Sequence, residues 1–383
     1  IIQVHETQLV RHGMMVVGEA GSGKSTNIEV LAHALGKLFE DGVTDKDGFY
    51  KIVDRLMLNP KSISAGELYG EFNTMTNEWK DGIVPKLVRQ VVQAGVDLSP
   101  NRKWIVFDGP VDAIWIENMN TVLDDNKTLC LANSERIKLP PSLHMMFEVM
   151  DLKVASPATV SRCGMVYMEQ VHVGLLSLVR SWGLNALSNV HNEETVDIVV
   201  NLVEDHVIEG IDFIREHCNE KVASDNSNLV QSLLNMLYCV LDPTRGFHAE
   251  HPQAKTNIKL FFVWAFVWSI GANIDDNSRT KFKDWAQRRF IGILPESSVA
   301  FLQDIYGHVM DQEKSTFVPW DDLMSDFQFD ADQPYFNIIV PTVETTRYNF
   351  IMKQLMCGGF NVLLSAETGV GKSVVIQQFL DQQ

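Results

Sequence analysis

Residues 18–26 read Gly18-Glu19-Ala20-Gly21-Ser22-Gly23-Lys24-Ser25-Thr26, and this stretch decides the fold. It fits the pattern G-x-x-x-x-G-K-[ST], in which glycines let backbone N–H groups turn toward phosphates and a lysine adds a point charge. The apolar run from Met14 to Val17 precedes it and predicts a buried parallel strand. Helical spacing follows from Asn27 to Leu35, and the helix N-terminus favours an anion. We therefore expect a P-loop that binds ATP, with Ser25 or Thr26 holding Mg²⁺.

The composition excludes several functional classes. With 383 residues and 45% hydrophobic content, the chain predicts two to three compact units. Its net charge of −17 argues against binding to nucleic acid or to an anionic membrane. The apolar stretch 260–272 is too short to span a bilayer and predicts a buried helix. The five cysteines lack metal-type spacing and indicate reduced, mostly buried thiols of a cytosolic protein. His5, His12 and His144 also lack partners at metal spacing and are interpreted as structural.

Strand and helix patterns alternate over the first 170 residues. Helical spacing covers 83–94 and 111–123, and apolar runs predict strands at 53–60, where Pro60 ends the strand, and at 104–108, 143–150 and 165–168. Residues 128–139 alternate like a hairpin, 62–82 are loop-rich like an insertion, and 5–13 form a polar lead-in. This order predicts an α/β fold: a P-loop large domain built on a doubly wound parallel sheet.

Helical patterns predominate after residue 171, at 175–187, 194–218, 226–241, 257–271 and 278–290. We expect a large α/β domain over 1–170, an α-helical small subdomain over 171–300, an inter-module connection over 301–340 and the start of another module over 341–383. Within the last two segments, the sequence favours a linker strand at Trp320-Asp321-Asp322 and a helix at 344–356.

Residues 366–373 read Ala366-Glu367-Thr368-Gly369-Val370-Gly371-Lys372-Ser373, a second phosphate-gripping loop. Alanine stands where the first glycine belongs, which leaves that backbone angle less free, and we still expect nucleotide binding. Because few residues follow Lys372, this loop is predicted to open a further module of a longer polypeptide.

The chemistry predicted for the first loop is that of a site that holds ATP and turns it over slowly or not at all. Asp108 ends a predicted strand and suits Mg²⁺. Many hydrolysing P-loop proteins place a glutamate next, but Gly109-Pro110 follows here, and neither residue can accept a proton. The alternatives are Asp112, which would have to reach from a helix start, and Glu148, which lies inside a predicted strand.

Three further residues are candidates for nucleotide contacts. Asp151 follows the strand next to that of Asp108 and could face the γ-phosphate, or could merely cap the next turn. Arg162 stands just before a strand at the domain edge and could act as a finger on a neighbour's γ-phosphate, or form a surface salt bridge. Arg279, at the start of a predicted helix, could sense the nucleotide of its own module.

Several long strings carry a family likeness. They are Asn59-Pro60-Lys61, Leu68-Tyr69-Gly70-Glu71-Phe72, Trp104-Ile105-Val106-Phe107-Asp108-Gly109-Pro110-Val111-Asp112, Val122-Leu123-Asp124-Asp125-Asn126-Lys127 and Ser156-Pro157-Ala158-Thr159-Val160-Ser161-Arg162-Cys163-Gly164-Met165. Together they resemble the second AAA+ module of a dynein heavy chain, over nearly the whole chain. The second loop, preceded by Phe317-Val318-Pro319-Trp320, resembles the opening of the third module, and the style of residues 126–133 is more axonemal than cytoplasmic.

The resemblance implies a place in a six-module motor ring that drives ATP-dependent, minus-end-directed motility on microtubules. The main hydrolysis site would lie between the first and second modules and would be completed by Arg162. The loop at 18–26 and Asp108 would hold ATP without hydrolysing it, with a finger from the third module. The implied partners are the neighbouring modules of the same heavy chain, dynein intermediate and light chains, and microtubules through regions outside this chain. The implied location is the cytoplasm and cytoskeleton, in the axoneme of a cilium or flagellum.

Two other classes of function stay open at this point. A self-contained P-loop ATPase or remodelling protein would hydrolyse ATP at its own site, and Gly109 argues against it. A non-catalytic scaffold would carry a vestigial loop, and the intact Lys24-Ser25 pair argues against that.

Overall fold

The computed structural model describes residues 1–45, 48–94, 101–124, 126–311, 314–324, 327 and 340–381. The chain forms two compact units, Ile1–Val173 and Gly174–Gln383. Each unit has its own hydrophobic core.

The first unit is built on a sheet of five parallel strands among its described residues, in the order β2-β5-β8-β1-β9. The strands are β1 (Gly13–Val17), β2 (Val53–Leu58), β5 (Arg102–Asp108), β8 (Leu143–Val149) and β9 (Gly164–Tyr167). This confirms the predicted parallel α/β sheet. Strands β5 and β8 are paired, with Asp108 of β5 opposite Glu148 of β8.

Both faces of this sheet are covered. Along β1, Met14 and Val16 belong to one core cluster, and Met15 and Val17 belong to another. Every residue of β8 is buried. The strands have continuous apolar runs because successive side chains enter opposite layers and both layers are buried, as is typical of parallel sheets.

Helices and short strands surround the sheet. They are α1 (Ile2–Val10), α2 (Lys24–Glu40), α3 (Ala65–Tyr69), β3 (Gly70–Phe72), β4 (Trp79–Asp81), α4 (Ile83–Ala94), α5 (Ala113–Ile116), α6 (Asn120–Leu123), β6 (Thr128–Cys130), β7 (Arg136–Lys138), α7 (Pro157–Arg162) and α8 (Gln170–Val173). The hairpin β6–β7 and helix α4 were predicted.

One local prediction in this unit was wrong, and a second was right in type but not in detail. The segment 5–13 is largely helical rather than a polar lead-in, because Val4 and Gln8 of α1 are buried against the sheet. The stretch 111–123 is helical from Ala113 to Leu123, as predicted, but it consists of two short α-helices, α5 and α6, joined by a 3-10 turn at Glu117–Met119.

The second unit is mainly helical. Its elements are α9 (Leu175–Asn185), α10 (Glu193–His217), α11 (Asn226–Val240), α12 (Ala254–Ser269), α13 (Asp276–Phe290), α14 (Val299–Gln303), β10 (His308–Asp311), β11 (Thr316–Pro319), α15 (Val343–Cys357) and α16 (Lys372–Asp381). Helix α12 lies at the centre of the core, and from Leu260 to Ser269 every residue is buried. The predicted buried helix is therefore confirmed.

Two further predictions need correction. Trp320-Asp321-Asp322 is not a strand but part of a 3-10 turn at Trp320–Leu323, because the fully buried Trp320 folds back and its indole donates to the Tyr306 carbonyl at 3.0 Å. The cysteines are free but not mostly buried: Cys163 and Cys239 are buried, whereas Cys130 and Cys357 are exposed. Within the described residues, no helix is long and apolar enough to cross a membrane.

Candidate nucleotide site

The first glycine-rich loop connects β1 to α2 at the carboxyl edge of the sheet. Gly21 and Gly23 have φ values of 75° and 80°, a region that glycine enters without the strain of a side chain. Gly18 has a different constraint, since a Cβ at this position would lie 2.1 Å from the Met168 carbonyl oxygen. The loop therefore has the shape that its glycines predicted, a backbone cradle at a helix N-terminus.

The Lys24 side chain folds back into this cradle and bonds to the loop backbone. Its Nζ donates to the carbonyl oxygens of Gly18 at 2.7 Å and Glu19 at 2.8 Å. Burial lowers the pKa of Lys24, and the nearby carboxylates of Glu148 and Asp108 act in the opposite direction. The ammonium group is thus held in the loop, where a phosphate oxygen can replace a carbonyl as acceptor.

Two carboxylates lie beside the loop. Asp108 is exposed at the end of β5, and Glu148, only 3% exposed, is its register partner on β8. The Ser25 hydroxyl donates to Glu148 Oε2 at 2.5 Å. Burial raises the pKa of Glu148, as does the Asp108 charge, while the Ser25 hydrogen bond and the Lys24 charge lower it. The structure therefore brings Lys24, Ser25, Asp108 and Glu148 together.

The sequence indicates Glu148 only as an alternative acid, because a residue inside a buried strand is not expected to face the loop. The apolar neighbours Met146, Phe147 and Val149 are the signal that could have found it. A charged residue in such a run requires a specific partner.

The donor set fits a magnesium nucleotide. Loop N–H groups and Lys24 suit phosphate oxygens, and the Ser25 hydroxyl with carboxylates suits Mg²⁺, which usually binds through one or two carboxylates plus phosphates. In the part of the chain that the structure describes, no group of three or more His, Cys, Asp or Glu side chains could hold a metal by itself.

The two residues directly after Asp108, Gly109 and Pro110, supply no further acid. A Cβ on Gly109 would lie 2.9 Å from Asn59 Oδ1 and 3.2 Å from Pro60 Cδ, so a longer side chain would need these neighbours to shift. Asp112 forms an ion pair with Lys61 at 2.7 Å. Of the two alternative acids considered, Asp112 is thus engaged elsewhere, and Glu148 is engaged by Ser25.

Asp151 lies two residues beyond β8 and shapes the following turn. Its Oδ1 accepts from the Lys153 backbone N–H at 3.0 Å, and its carboxylate lies 3.3 Å from Lys153 Nζ. The backbone hydrogen bond is the main reason that the pKa of Asp151 is lowered. The turn-capping interaction is therefore present, and the contact with a γ-phosphate stays a prediction.

Arg162 lies at the edge of the sheet where the parallel strands begin, whereas the first loop lies at the edge where they end. It precedes Gly164, the first residue of β9, which pairs with Met14 near the start of β1, whereas the loop follows the end of β1. About 10 Å of strand separates these two edges. Its guanidinium bonds Asp124 and donates to the Ala158 carbonyl at 2.9 Å. Arg162 is therefore not part of the nucleotide site of its own unit.

Arg279 belongs to the second unit, at the start of α13. It lies 3.6 Å from Asp276 and packs over the Tyr306 ring, 5.2 Å from its centroid. A sensing role for Arg279 stays a prediction.

The second loop has the same local geometry as the first. Lys372 Nζ donates to the carbonyl oxygens of Ala366 at 2.8 Å and Glu367 at 2.6 Å. Gly369 and Gly371 have φ values of 89° and 83°. Ala366 is not among the residues with positive φ, so the expected restriction of its backbone angle has no consequence here. In the first loop the need for glycine comes from the close approach to Met168.

Three family comparisons match successive parts of the chain. Residues 13–163 match the AAA domain of the dynein-related subfamily. Residues 199–322 match the dynein heavy chain AAA lid domain, and residues 327–383 match the P-loop containing dynein motor region. The AAA domain match lies within the first unit, and the lid and motor-region matches lie within the second unit.

Individual relatives match the chain along its whole length. It is 42% identical over 384 residues to human dynein axonemal heavy chain 6, with 100% of this chain covered. It is 40% identical to mouse dynein axonemal heavy chain 1 and 35% identical to human dynein axonemal heavy chain 2, each with 99% of this chain covered. The chain spans only 9% of the length of the first two relatives and 8% of the third.

Proposed function

Because this chain belongs to the dynein heavy chain family, we propose that its first unit is an AAA+ module that holds Mg²⁺·ATP with little or no hydrolysis. Bound Mg²⁺·ATP would place its negatively charged triphosphate against the hydrogen-bond donors of the loop at 18–26. Lys24 and the loop N–H groups hold the phosphates, and Ser25 and Asp108 face the metal. The observation that carries this proposal is the Lys24 ammonium held inside the loop by the Gly18 and Glu19 carbonyl oxygens.

Slow turnover is supported by the surroundings of Asp108. Gly109 and Pro110 offer no proton acceptor, and Asp112 is paired with Lys61. Without a base to orient and deprotonate water, a site of this kind retains ATP.

A second part of the proposal is that Arg162 completes the hydrolysis site of the preceding module in trans. Its position supports this, because it lies at the sheet edge away from its own loop. It also stands at the end of α7, with its side chain one-third exposed. An arginine finger stabilises charge on the transferred phosphoryl group, and its guanidinium must be able to reach across a module boundary.

The same proposal assigns a place in the ring. The first unit would be the second module, with the small subdomain at 171–300 and a connection at 301–340, and the loop at 366–373 would open the third module. Asp151 and Arg279 would face the nucleotide of the second module. The whole protein would be a microtubule motor of the axoneme in a cilium or flagellum, assembled with intermediate and light chains.

The test is to identify the nucleotide that the first loop retains. The 383-residue chain, carrying Lys372→Ala so that only the first loop reports, is incubated with Mg²⁺·ATP, desalted and extracted for chromatography. We expect mainly ATP, and we expect Lys24→Ala to weaken binding about tenfold to a hundredfold, the value of a charge-assisted hydrogen bond.

Lys37→Ala is the matched control, since Lys37 lies at the far end of the same helix and pairs with Asp41 rather than with the loop, and it should retain ATP as before. Recovery of ADP alone, or rapid turnover at this loop, would instead support a self-contained ATPase. Undiminished binding by Lys24→Ala would refute the site itself.

A further inference from the structure

Glu148 occupies a place that the packing of β8 does not favour. It is 3% exposed, and the strand around it is buried at every position. A buried carboxylate costs free energy unless it is paired and hydrogen-bonded. A residue that served only the core would be apolar, as Phe147 and Val149 are.

The partner of Glu148 belongs to the phosphate-binding loop. Ser25 Oγ donates to Glu148 Oε2 at 2.5 Å, across 123 positions of sequence. Ser25 follows Lys24, and Asp108 is the register neighbour of Glu148 on β5. The hydroxyl is therefore held toward two carboxylates, on the side of the loop where a cation would be favoured.

We propose that Glu148 is a positioning residue for Mg²⁺ at this loop: it orients the Ser25 hydroxyl and, with Asp108, makes nucleotide binding depend on the metal. This inference rests on the proposed ATP site. Without Mg²⁺, the Glu148 and Asp108 charges repel the triphosphate. With Mg²⁺, the same charges favour the cation that the triphosphate carries.

The test compares nucleotide affinity with and without the metal. The dissociation constant of a fluorescent ATP analogue is measured in Mg²⁺ and in EDTA, on the 383-residue chain with Lys372→Ala. Glu148→Gln keeps the shape and an acceptor for Ser25 but removes the charge. We expect the EDTA-to-Mg²⁺ ratio of dissociation constants to fall about tenfold, through tighter binding in EDTA and weaker binding in Mg²⁺.

Asp112→Asn is the matched control, since it removes a nearby carboxylate that pairs with Lys61, and its ratio should equal that of the unchanged chain. A purely structural role for Glu148 would weaken binding equally in both conditions and leave the ratio unchanged, which would overturn the proposal. If Glu148→Gln does not fold, Glu148→Asp shortens the reach to Ser25, and the ratio should fall at least about threefold. An unchanged ratio would again overturn the proposal.

The two levels of inference fail differently. If the unchanged chain binds no nucleotide, the proposed ATP site is wrong, and the role of Glu148 falls with it. If the unchanged chain binds Mg²⁺·ATP and Glu148→Gln keeps the full metal dependence, only the role of Glu148 is wrong.

Discussion

The ion pair between Arg162 and Asp124 shows how a single residue can be exposed and yet held in place. The Arg162 guanidinium bonds Asp124 and the Ala158 carbonyl, and about one-third of the side chain remains open to solvent. Such a pair contributes little to stability at a surface. For the proposed finger in trans, the pair would orient the guanidinium before a neighbour's nucleotide arrives.

Replacing Arg162 tests this role at the residue scale. In the full-length heavy chain, Arg162→Ala should reduce steady-state ATPase by about a thousandfold, the lower range for arginine fingers. Nucleotide bound at Lys24 should be unaffected, because Arg162 lies at the other edge of the sheet. The measurement pairs an ATPase assay with the retained-nucleotide assay above.

Arg11→Ala serves as the control at the same edge, since the Arg11 side chain lies next to Gly164. It should leave turnover unchanged. Equal activity of Arg162→Ala and the unchanged heavy chain would remove Arg162 from the proposed catalytic site.

Residues in a local motif were predictable from sequence, and those linked across the sheet were not. Lys24 and Asp108 stand in a short pattern and at a strand end, so their neighbours in sequence are also their neighbours in function. Glu148 reaches Ser25 only because β1 lies between β8 and β9 in the sheet, with Glu148 in register with Val16. Strand order and register are non-local, and no spacing along the chain encodes them.

At the scale of elements, helix α7 links Arg162 to the rest of the first unit. Ser156 caps its N-terminus by accepting from the Thr159 backbone N–H, and Pro157 occupies the first helical position. The Thr159 hydroxyl in turn donates to Asn120 of α6 at 3.0 Å. This short helix therefore owes its position to side-chain hydrogen bonds as well as to packing.

Removing the cap should weaken the unit measurably. Ser156→Ala should lower the free energy of unfolding by about 1 kcal/mol, the usual value of a serine cap. Ser161→Ala, one turn along the same helix, removes only an exposed hydroxyl that donates to Ala158; it should change stability by less than about 0.5 kcal/mol. Denaturant unfolding of both variants provides the comparison, and equal stabilities would argue against the cap.

Element prediction failed where burial overrode local pattern. Helix α1 was missed because residues 5–13 include few apolar residues, whereas the helix buries Val4 fully and leaves Gln8 only 3% exposed. Strongly periodic segments such as α4, α10 and α11 were predicted to within one residue of their observed ends. Periodicity identifies a helix whose buried face is apolar, and it cannot identify one that buries polar residues.

At the scale of the whole molecule, the two units use different layers: helices against a parallel sheet in the first, and helices around α12 in the second. The chain carries a net charge of −17. The core of each unit also contains at least one buried histidine. In the first unit, His12 and His144 lie 5.8 Å apart, centroid to centroid, and Arg102 lies 3.0 Å from His144 Nε2. Since a guanidinium only donates, His144 must accept at Nε2 and carry its proton on Nδ1.

This pair predicts how the first unit responds to acid. Burial lowers the pKa of His12 to about 4, and burial with the charges of His12, Arg102 and Lys127 lowers that of His144 to about 3. Both values lie below the unfolded value of 6.5. The stabilising effect of the neutral rings is therefore complete above pH 6.5 and is lost as the pH falls toward 4 and then 3, at about 1.4 kcal/mol per pH unit for each ring. His144→Gln keeps an acceptor for Arg102 but cannot be protonated, so its free energy of unfolding should fall less steeply than that of the unchanged chain between pH 6.5 and 4.5, by about 2 kcal/mol in total. Denaturant unfolding at several pH values measures this difference, with His172→Gln, a largely exposed histidine of the same unit, as the control. Parallel pH curves for His144→Gln and His172→Gln would show that His144 is not held neutral by the fold.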